Sequence, residues 1–193
     1  MKAYEELLRE FHDKYGQYRR PTNSPGSVPL AVAQLRLRLM VEELGELASS
    51  LMKKDLVKTA DAICDLAYVT IGTAVAYGTA LPELPEQDKV VLRPDQYFLL
   101  LTADLGETVT AIHEEQLTRL NDCLTYQMKA ILLLSAALKV SFDPCFREVH
   151  RSNLTKTVMD DVKDGQKYGS ADGWKKQSKG PDFQPPNLGQ FLL

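Results

Sequence analysis

The chain has 193 residues, of which 44% are hydrophobic and 25% are charged, and its formal net charge is −3. This length and apolar content suffice for one good-sized core or for two small halves packed together. The weak negative charge excludes binding of a nucleic-acid polymer through a broad basic surface. The three cysteines form no CxxC pair, which favours reduced thiols over a disulfide framework or a zinc site.

The helical period runs through nearly the whole chain, and no segment alternates as a β-strand does. Gly16 ends the first predicted helix, Pro29 suits the first turn of the second, and Asp55 can cap the third, which ends near Gly78. The predicted helices span residues 2–15, 29–53, 55–78, 95–113, 115–140 and 144–157. The predicted fold class is therefore all-α, a helical bundle built on an antiparallel helical hairpin.

We predict a single domain over residues 1–193 with three parts. The parts are a hairpin at about 29–78, an inserted helical hairpin at about 82–140, and a final segment with an irregular tail at about 144–193. Prolines and charges at 82–94 predict a linker. Tyr168 and Trp174 in the tail either stack on a base or anchor the tail. With no apolar run of about 18 residues and no signal-peptide pattern, we expect a cytoplasmic protein without a membrane partner.

Acidic residues interrupt the apolar pattern of the second helix. Two carboxylates continue a line of leucines at spacings of three and four, and a third acid lies beside this line: Leu35, Leu39, Glu42 and Glu46, with Glu43 as the neighbour. Carboxylates placed in line with leucines are difficult to explain as surface decoration. Taken alone, however, an EExxE pattern is also common on solvated helices.

The turn at residues 53–55 folds the third helix back along the second. Because residues equally far from the turn face each other, we expect Asp65 opposite Glu43 and Asp61 opposite Glu46. Such a cluster repels itself unless a cation neutralises it. Carboxylate oxygens suit hard cations, and Mg²⁺ completes its shell with water and phosphate oxygens. The hairpin therefore predicts a Mg²⁺ site, in which Mn²⁺ can substitute.

Three segments carry a resemblance to a known family: residues 42–47 (EELGEL), 61–69 (DAICDLAYV) and 146–156 (FREVHRSNLTK). They resemble the MazG-like and phosphoribosyl-ATP pyrophosphohydrolase-like all-α NTP pyrophosphohydrolases, over about residues 7–75 and 146–188. The third segment is the most specific. One departure concerns the metal site, since Ala62 stands where many relatives have a glutamate, and the neighbouring Asp61 is the expected substitute.

The resemblance implies Mg²⁺-dependent hydrolysis of a nucleoside triphosphate (standard, deoxy or damaged) to the monophosphate and pyrophosphate. We expect a catalytic set of Glu42, Glu43, Glu46 and Asp65, and metal ligands Glu43, Glu46, Asp65, Asp61 and Glu42. The expected substrate-binding residues are Asn153, Lys156, Arg151, Lys53, Lys54 and Tyr68. Asn153 and Lys156 match positions that the resemblance assigns to nucleotide. Lys53 and Lys54 lie near the turn and are equally explained as solvated lysines.

Two other functions remain open at this point. The broader resemblance includes phosphoribosyl-ATP hydrolysis, and a non-catalytic nucleotide-binding protein is the second alternative. Relatives commonly form homo-oligomers, so we expect a dimer.

The sequence of the inserted helices is similar to that of the acidic hairpin when the two are aligned at an offset of 61 residues. In this register residues 43–46 (ELGE) align with 104–107 (DLGE), while Ala103 replaces Glu42 and Tyr126 replaces Asp65. We interpret this as a possible degenerate duplication that would bind metal poorly. The alternative is a helical insertion that covers one face of the core.

Overall fold

The protein is described by a computed structural model over residues 1–84, 92–158 and 177–192. Within these ranges it contains six α-helices: α1 (Lys2–Tyr15), α2 (Leu30–Lys53), α3 (Leu56–Tyr77), α4 (Pro94–His113), α5 (Leu117–Ala137) and α6 (Phe142–Asn153). The all-α prediction is confirmed. Tyr168 and Trp174 lie outside the described residues, as does most of the predicted tail.

The predicted boundaries of α1 to α5 agree closely with the observed ones, and the reasons are local. Asp55 caps α3, because its Oδ1 accepts a hydrogen bond of 3.1 Å from the backbone N–H of Lys58. Gly16 and Gly78 end α1 and α3 in the left-handed conformation, with φ of 61° and 69°.

The last part of α6 was predicted wrongly, because the helix ends at Asn153 and does not continue to residue 157. Thr157–Val158 (β1) instead pairs antiparallel with Gln177–Ser178 (β2). The chain after β2 runs back beside this segment and binds it. The Ser152 hydroxyl donates to the Gln184 carbonyl, and the Gln184 N–H donates to the Thr155 hydroxyl. Gly180 permits the close approach, because a Cβ there would collide with the Thr157 hydroxyl.

Helix α3 lies at the centre of the molecule and packs against α1, α2, α5 and α6. From Thr59 to its end at Tyr77, every residue except Asp61 and Asp65 is buried. By length and composition α3 is apolar enough to cross a membrane, but 89% of its most apolar window is buried within the protein. A helix that is hydrophobic all round is ordinarily a core helix when other helices surround it.

The hairpins α2–α3 and α4–α5 repeat one another at the predicted offset of 61 residues. The turn residues Lys54 and Glu115 both have φ of 54°, and each N–H bonds to the carbonyl three residues earlier. Gly78 and Lys139, with φ of 69° and 57°, end α3 and α5 with the same pair of backbone hydrogen bonds. The two hairpins pack together, mainly through α3 and α5. The inserted segment is therefore a structural repeat of the first hairpin.

Candidate active site

A cavity of about 110 Å³, which we call the acid cavity, lies between α1, α2, α3 and the end of α6. Glu43 of α2 and Asp65 of α3 line one side of it, and Asn153 and Lys156 line it from the α6 end. Tyr68, one turn along α3 from Asp65, lines it as well. The structure thus brings together residues that the sequence predicted from motifs more than 80 positions apart.

The two acids that line the cavity repel each other and are hard to ionise. Burial, and then the negative charges of Asp65, Glu46 and Glu42, raise the pKa of Glu43 to about 8. Burial and then the charge of Asp61 raise the pKa of Asp65 to about 7, while Lys156 acts in the opposite direction. The effects of Asp65 on Glu43 and of Glu46 on Asp65 agree with the predicted pairing of residues across the hairpin.

The remaining acids extend the cluster outward from the cavity. Burial and the charge of Glu46 raise the pKa of Asp61, while Lys179 and Lys156 lower it. Glu42 and Glu46 are exposed on α2. Ala62 is buried, so the acid next to it, Asp61, supplies the carboxylate on this turn of α3. Lys179 was not predicted as a site residue, because its position depends on the return of the chain after β2.

The predicted metal ligands stay predictions. Among the residues that the structure describes, no three His, Cys, Asp or Glu side chains are arranged as a ready-made metal site. The donor set nevertheless suits Mg²⁺ or Mn²⁺, since neighbouring carboxylates raise the pKa of Glu43 and of Asp65, and a divalent cation neutralises such a concentration of negative charge.

Tyr68 and Asn153 are held by a chain of polar contacts behind the cavity. The Tyr68 hydroxyl lies 3.0 Å from Nδ1 of His150, whose Nε2 lies 3.4 Å from Oε2 of Glu10. Asn153 also hydrogen-bonds to Tyr68. This bond lowers the pKa of the Tyr68 hydroxyl, but burial is the larger effect and raises that pKa above its ordinary value. On the α1 side, the Tyr15 hydroxyl lies 3.0 Å from the Asn153 carbonyl oxygen and 2.8 Å from that of Lys156. These contacts fix the end of α6 against α1 and α3.

Three of the predicted substrate residues do not line the acid cavity. Lys53 and Lys54 are exposed at the turn, where Lys54 serves as the left-handed C-cap of α2. Arg151 pairs with Glu148 at 2.8 Å and donates to Oε1 of Gln184 at 3.0 Å. Arg151 therefore holds the returning chain, and its binding role, like those of the two lysines, stays a prediction.

Arg36 is a site residue that the sequence reasoning missed. It lines the acid cavity although it is only 6% exposed. Its guanidinium donates to the Val69 carbonyl at 3.0 Å and to the Thr73 hydroxyl at 3.2 Å. Among the described residues no carboxylate forms an ion pair with it, and burial lowers its pKa to about 10. A buried cation on a cavity wall without an acidic partner suits an anionic ligand.

His12 and Gly72 complete the surroundings of Arg36. Burial and the charge of Arg36 lower the pKa of His12 to about 3, so its ring is neutral. Nδ1 of His12 lies 3.0 Å from the Tyr18 carbonyl oxygen, so this nitrogen carries the proton and Nε2 is the acceptor. Gly72 leaves room on α3, because a Cβ there would collide with the Arg36 guanidinium.

A sequence signal for Arg36 existed in the pattern of α2. Val32, Arg36, Met40 and Leu44 follow one another at a spacing of four, and all are buried. A charged residue inside an otherwise apolar stripe is the sign of a buried functional or paired charge. The same reasoning applies to His12, which lies between the buried residues Leu8 and Tyr15 of α1.

A family model described as phosphoribosyl-ATP pyrophosphohydrolase matches residues 8–87. Neither the comparison with curated proteins nor that with solved structures found a match. The family match contains α2 and α3 with all five predicted acids, and it confirms the resemblance to the MazG-like and phosphoribosyl-ATP pyrophosphohydrolase-like all-α superfamily. It supports a pyrophosphohydrolase activity in general.

Proposed function

We propose that the protein hydrolyses a nucleoside triphosphate between its α- and β-phosphates, in a Mg²⁺-dependent reaction that yields the monophosphate and pyrophosphate. One observation carries this proposal: the acid cavity combines Glu43 and Asp65 with the cationic residues Arg36 and Lys156. Acids of this kind suit a divalent cation, and the two cations suit phosphate oxygens. A site for only one of these partners would not need both sets of side chains.

Arg36 and Lys156 act on the phosphates of the substrate. A guanidinium binds phosphate oxygens through a planar fork, and an ammonium binds them as a point charge. Arg36 is held in place by Val69 and Thr73, so it is oriented before the substrate binds. Asn153, fixed by its contact with Tyr68, supplies an amide to the sugar or to a base edge.

The acid cavity is small for a complete nucleotide. Its volume of about 110 Å³ compares with roughly 300–1,000 Å³ for sites that enclose a whole small molecule. The cavity therefore encloses part of the substrate, and the exposed acids Glu42 and Glu46 border the part that extends outward. Residues 159–176 lie outside the described part of the chain, so this volume concerns only the residues around the acids.

In the hydrolytic step a water oxygen bonds to phosphorus on one side of the α–β bridge. The bond from that phosphorus to the bridging oxygen breaks, so the monophosphate and pyrophosphate separate with the bridging oxygen on the fragment that leaves, and the water proton passes to a carboxylate of the cluster. Glu42 and Asp61, at the edges of the cluster, are the carboxylates that we assign to orienting this water. Glu43, Glu46 and Asp65 would hold Mg²⁺, which when bound neutralises phosphate charge and polarises phosphorus–oxygen bonds.

Phosphoribosyl-ATP is the second candidate substrate, and the family match over residues 8–87 favours it. The chemistry is the same, because this molecule also carries a triphosphate that is cleaved between the α- and β-phosphates. The two candidates differ in the group attached to the base, which lies away from the reacting phosphates. They therefore share the acid cavity and must be separated by experiment.

The test is an assay of pyrophosphate and orthophosphate release from a panel of NTPs, dNTPs and phosphoribosyl-ATP with Mg²⁺, with Glu46→Gln as the control. We expect pyrophosphate release that requires Mg²⁺ and is lost in the variant. Turnover of phosphoribosyl-ATP alone would identify the second candidate. A folded protein that releases pyrophosphate from none of these substrates, with Mg²⁺ or Mn²⁺, would contradict the proposal and favour a non-catalytic nucleotide-binding role.

A further inference from the structure

A second and larger cavity, of about 500 Å³, lies on the hairpin of α4 and α5. We call it the second cavity. Its volume falls in the range of roughly 300–1,000 Å³ that small-molecule sites occupy. Leucines, tyrosines and alanines form two thirds of its wall, and the remaining lining residues are polar: Asp104, Glu107, Gln127 and Lys129. Leu100 and Tyr126 on its edge are 51% and 65% exposed, so the apolar wall is open to solvent.

The second cavity occupies the position in its hairpin that the acid cavity occupies in the first. Six residues of α2 and α3 line the acid cavity, and the residue 61 positions after each of them lines the second cavity. The pairs include Glu43 with Asp104, Asp65 with Tyr126, and Tyr68 with Lys129. Because the turns of the two hairpins also repeat at this offset, the second cavity is the structural counterpart of the acid cavity.

The replacements remove the groups that a metal and a triphosphate need. Ala103 replaces Glu42 and Tyr126 replaces Asp65, so two of the five carboxylates are lost and Asp104, Glu107 and Asp122 remain. Glu107, the counterpart of Glu46, is paired with Arg119. Lys129 is the one basic residue among the described residues that line the cavity. The wall thus favours a ligand that carries neither several phosphates nor a divalent cation.

Asp104 gives the second cavity a specific polar group. Its Oδ2 is buried and has no hydrogen-bond partner within the described part of the chain. Its carboxyl interacts with Gln127, whose amide is already bound to Thr108 at 2.8 Å and to Thr70 at 3.2 Å. A buried acceptor without a partner is costly. Asp104 itself is half-buried and lines the cavity, so a turn about its Cβ–Cγ bond brings this oxygen to the cavity, where an N–H or O–H group of a ligand can reach it. An apolar wall beside a single such acceptor fits a flat heterocycle that carries N–H donors.

We propose that the second cavity binds a nucleobase or nucleoside, with Asp104 accepting from the N–H groups of the base and with no metal. The assignment to the nucleobase class rests on the proposed function, because the cavity is the counterpart of a proposed nucleotide site. The open cavity and the unpartnered oxygen do not depend on that function. Tyr126, exposed at the edge, supplies an aromatic face for stacking.

The experiment is a calorimetric titration of the full chain with adenosine, guanosine, cytidine and uridine in the presence of EDTA. We expect saturable binding of at least one nucleoside. Ala103→Trp should abolish it, because Ala103 is exposed and lines the cavity, so the indole fills the space. Thr102→Trp is the matched control, since Thr102 is the exposed neighbour on α4 that does not line the cavity. Asp104→Asn should weaken binding roughly tenfold.

The outcomes separate this proposal from the proposed function. Binding that is lost in Ala103→Trp but persists in Asn153→Ala, which removes the amide assigned to the sugar or base in the acid cavity, places the ligand in the second cavity even if the protein hydrolyses no triphosphate. The proposal is overturned if none of the four nucleosides binds, if Ala103→Trp binds as well as Thr102→Trp, or if Asn153→Ala abolishes binding. It is also overturned if sedimentation shows a dimer that Ala103→Trp dissociates, because a second copy would then cover this face.

Discussion

In the hairpin of α2 and α3, Glu43 and Asp65 face a narrow cavity, whereas in the hairpin of α4 and α5 the same two positions hold Asp104 and Tyr126 around a wider one. The backbones of the two hairpins turn at the same points, 61 residues apart. The chemistry therefore depends on a few side chains, and the helical frame that carries them is compatible with very different sites. Helix α1 and the end of α6 also pack at the acid cavity of the first hairpin. Helix α1 contributes His12, the neighbour of Arg36, and the segment after α6 contributes Lys156.

The two hairpins should differ most in their affinity for a divalent metal ion. Glu43→Gln removes a carboxylate from the acid cluster, while Asp104→Asn makes the equivalent change in the second hairpin. We expect the first variant to lose affinity for Mn²⁺ by on the order of 100-fold or more, and the second to bind like the unaltered protein. Electron paramagnetic resonance of free Mn²⁺ measures both affinities. Equal affinities in the two variants would place the metal elsewhere.

The role of Arg36 is tested by Arg36→Met, which keeps much of the volume and removes the charge. We expect kcat/KM for the triphosphate substrate to fall roughly 10- to 100-fold, because a cation aimed at the phosphates is lost. The thermal midpoint should change little or rise, since a buried charge without an acidic partner is also removed. If activity survives and stability falls, Arg36 serves the fold and not the substrate.

Gly72→Ala tests whether the position of Arg36 is set by the space on α3. The added methyl group collides with the guanidinium, so the free energy of unfolding should fall by roughly 1–3 kcal/mol. Activity should fall along with it, because Arg36 is displaced. Gly106→Ala is the control on α4, where the new Cβ meets open space, and it should raise stability by about 0.5–1 kcal/mol. Urea unfolding of both variants measures the difference.

The smallest expected effect is the contribution of Asp104 to the free energy of unfolding, and this contribution depends on pH. Burial and the charge of Glu107 raise the pKa of Asp104 from the ordinary value of 3.8 to about 6 in the folded protein, against the opposing bond to Gln127. The folded state thus binds the proton more tightly, so the stabilising effect is complete below pH 3.8 and is lost as the pH rises through 6. The carboxyl is partly exposed and screened by solvent, so the loss is on the order of 1 kcal/mol.

Thermal melting of Asp104→Asn between pH 4 and pH 7 checks this effect. The variant lacks the titrating group, so its thermal midpoint should rise relative to that of the unaltered protein as the pH rises. Parallel pH profiles for the two proteins would show that Asp104 titrates in the same way in the folded and unfolded chains.

The sequence predicted the parts of the fold that depend on local pattern. Helix boundaries such as Asp55 and Gly78 follow from capping chemistry, and the pairing of Glu43 with Asp65 follows from hairpin geometry. The repeat at 61 residues was also visible, because it preserves the spacing of short motifs. The metal ligands, a dimeric assembly and a cytoplasmic location stay predictions.

The features that the sequence did not predict depend on contacts between distant segments. The pairing of Thr157 with Ser178 and the position of Lys179 need the path of the returning chain. Arg36 was not predicted because a single basic residue on a helix forms no motif, and its burial depends on contacts with Val69 and Thr73 of α3. The second cavity depends on which side chains leave space between two helices, which no local pattern specifies.

The most direct test of the account compares two matched variants, Glu46→Gln and Glu107→Gln, in the same pyrophosphate-release assay with Mg²⁺. Both glutamates are exposed and lie 61 residues apart on α2 and α4, so neither substitution should disturb the fold. We predict a loss of on the order of 100-fold or more in kcat for Glu46→Gln and a change within about twofold for Glu107→Gln. Similar activities in both variants, whether high or low, would contradict the claim that the first hairpin carries the chemistry.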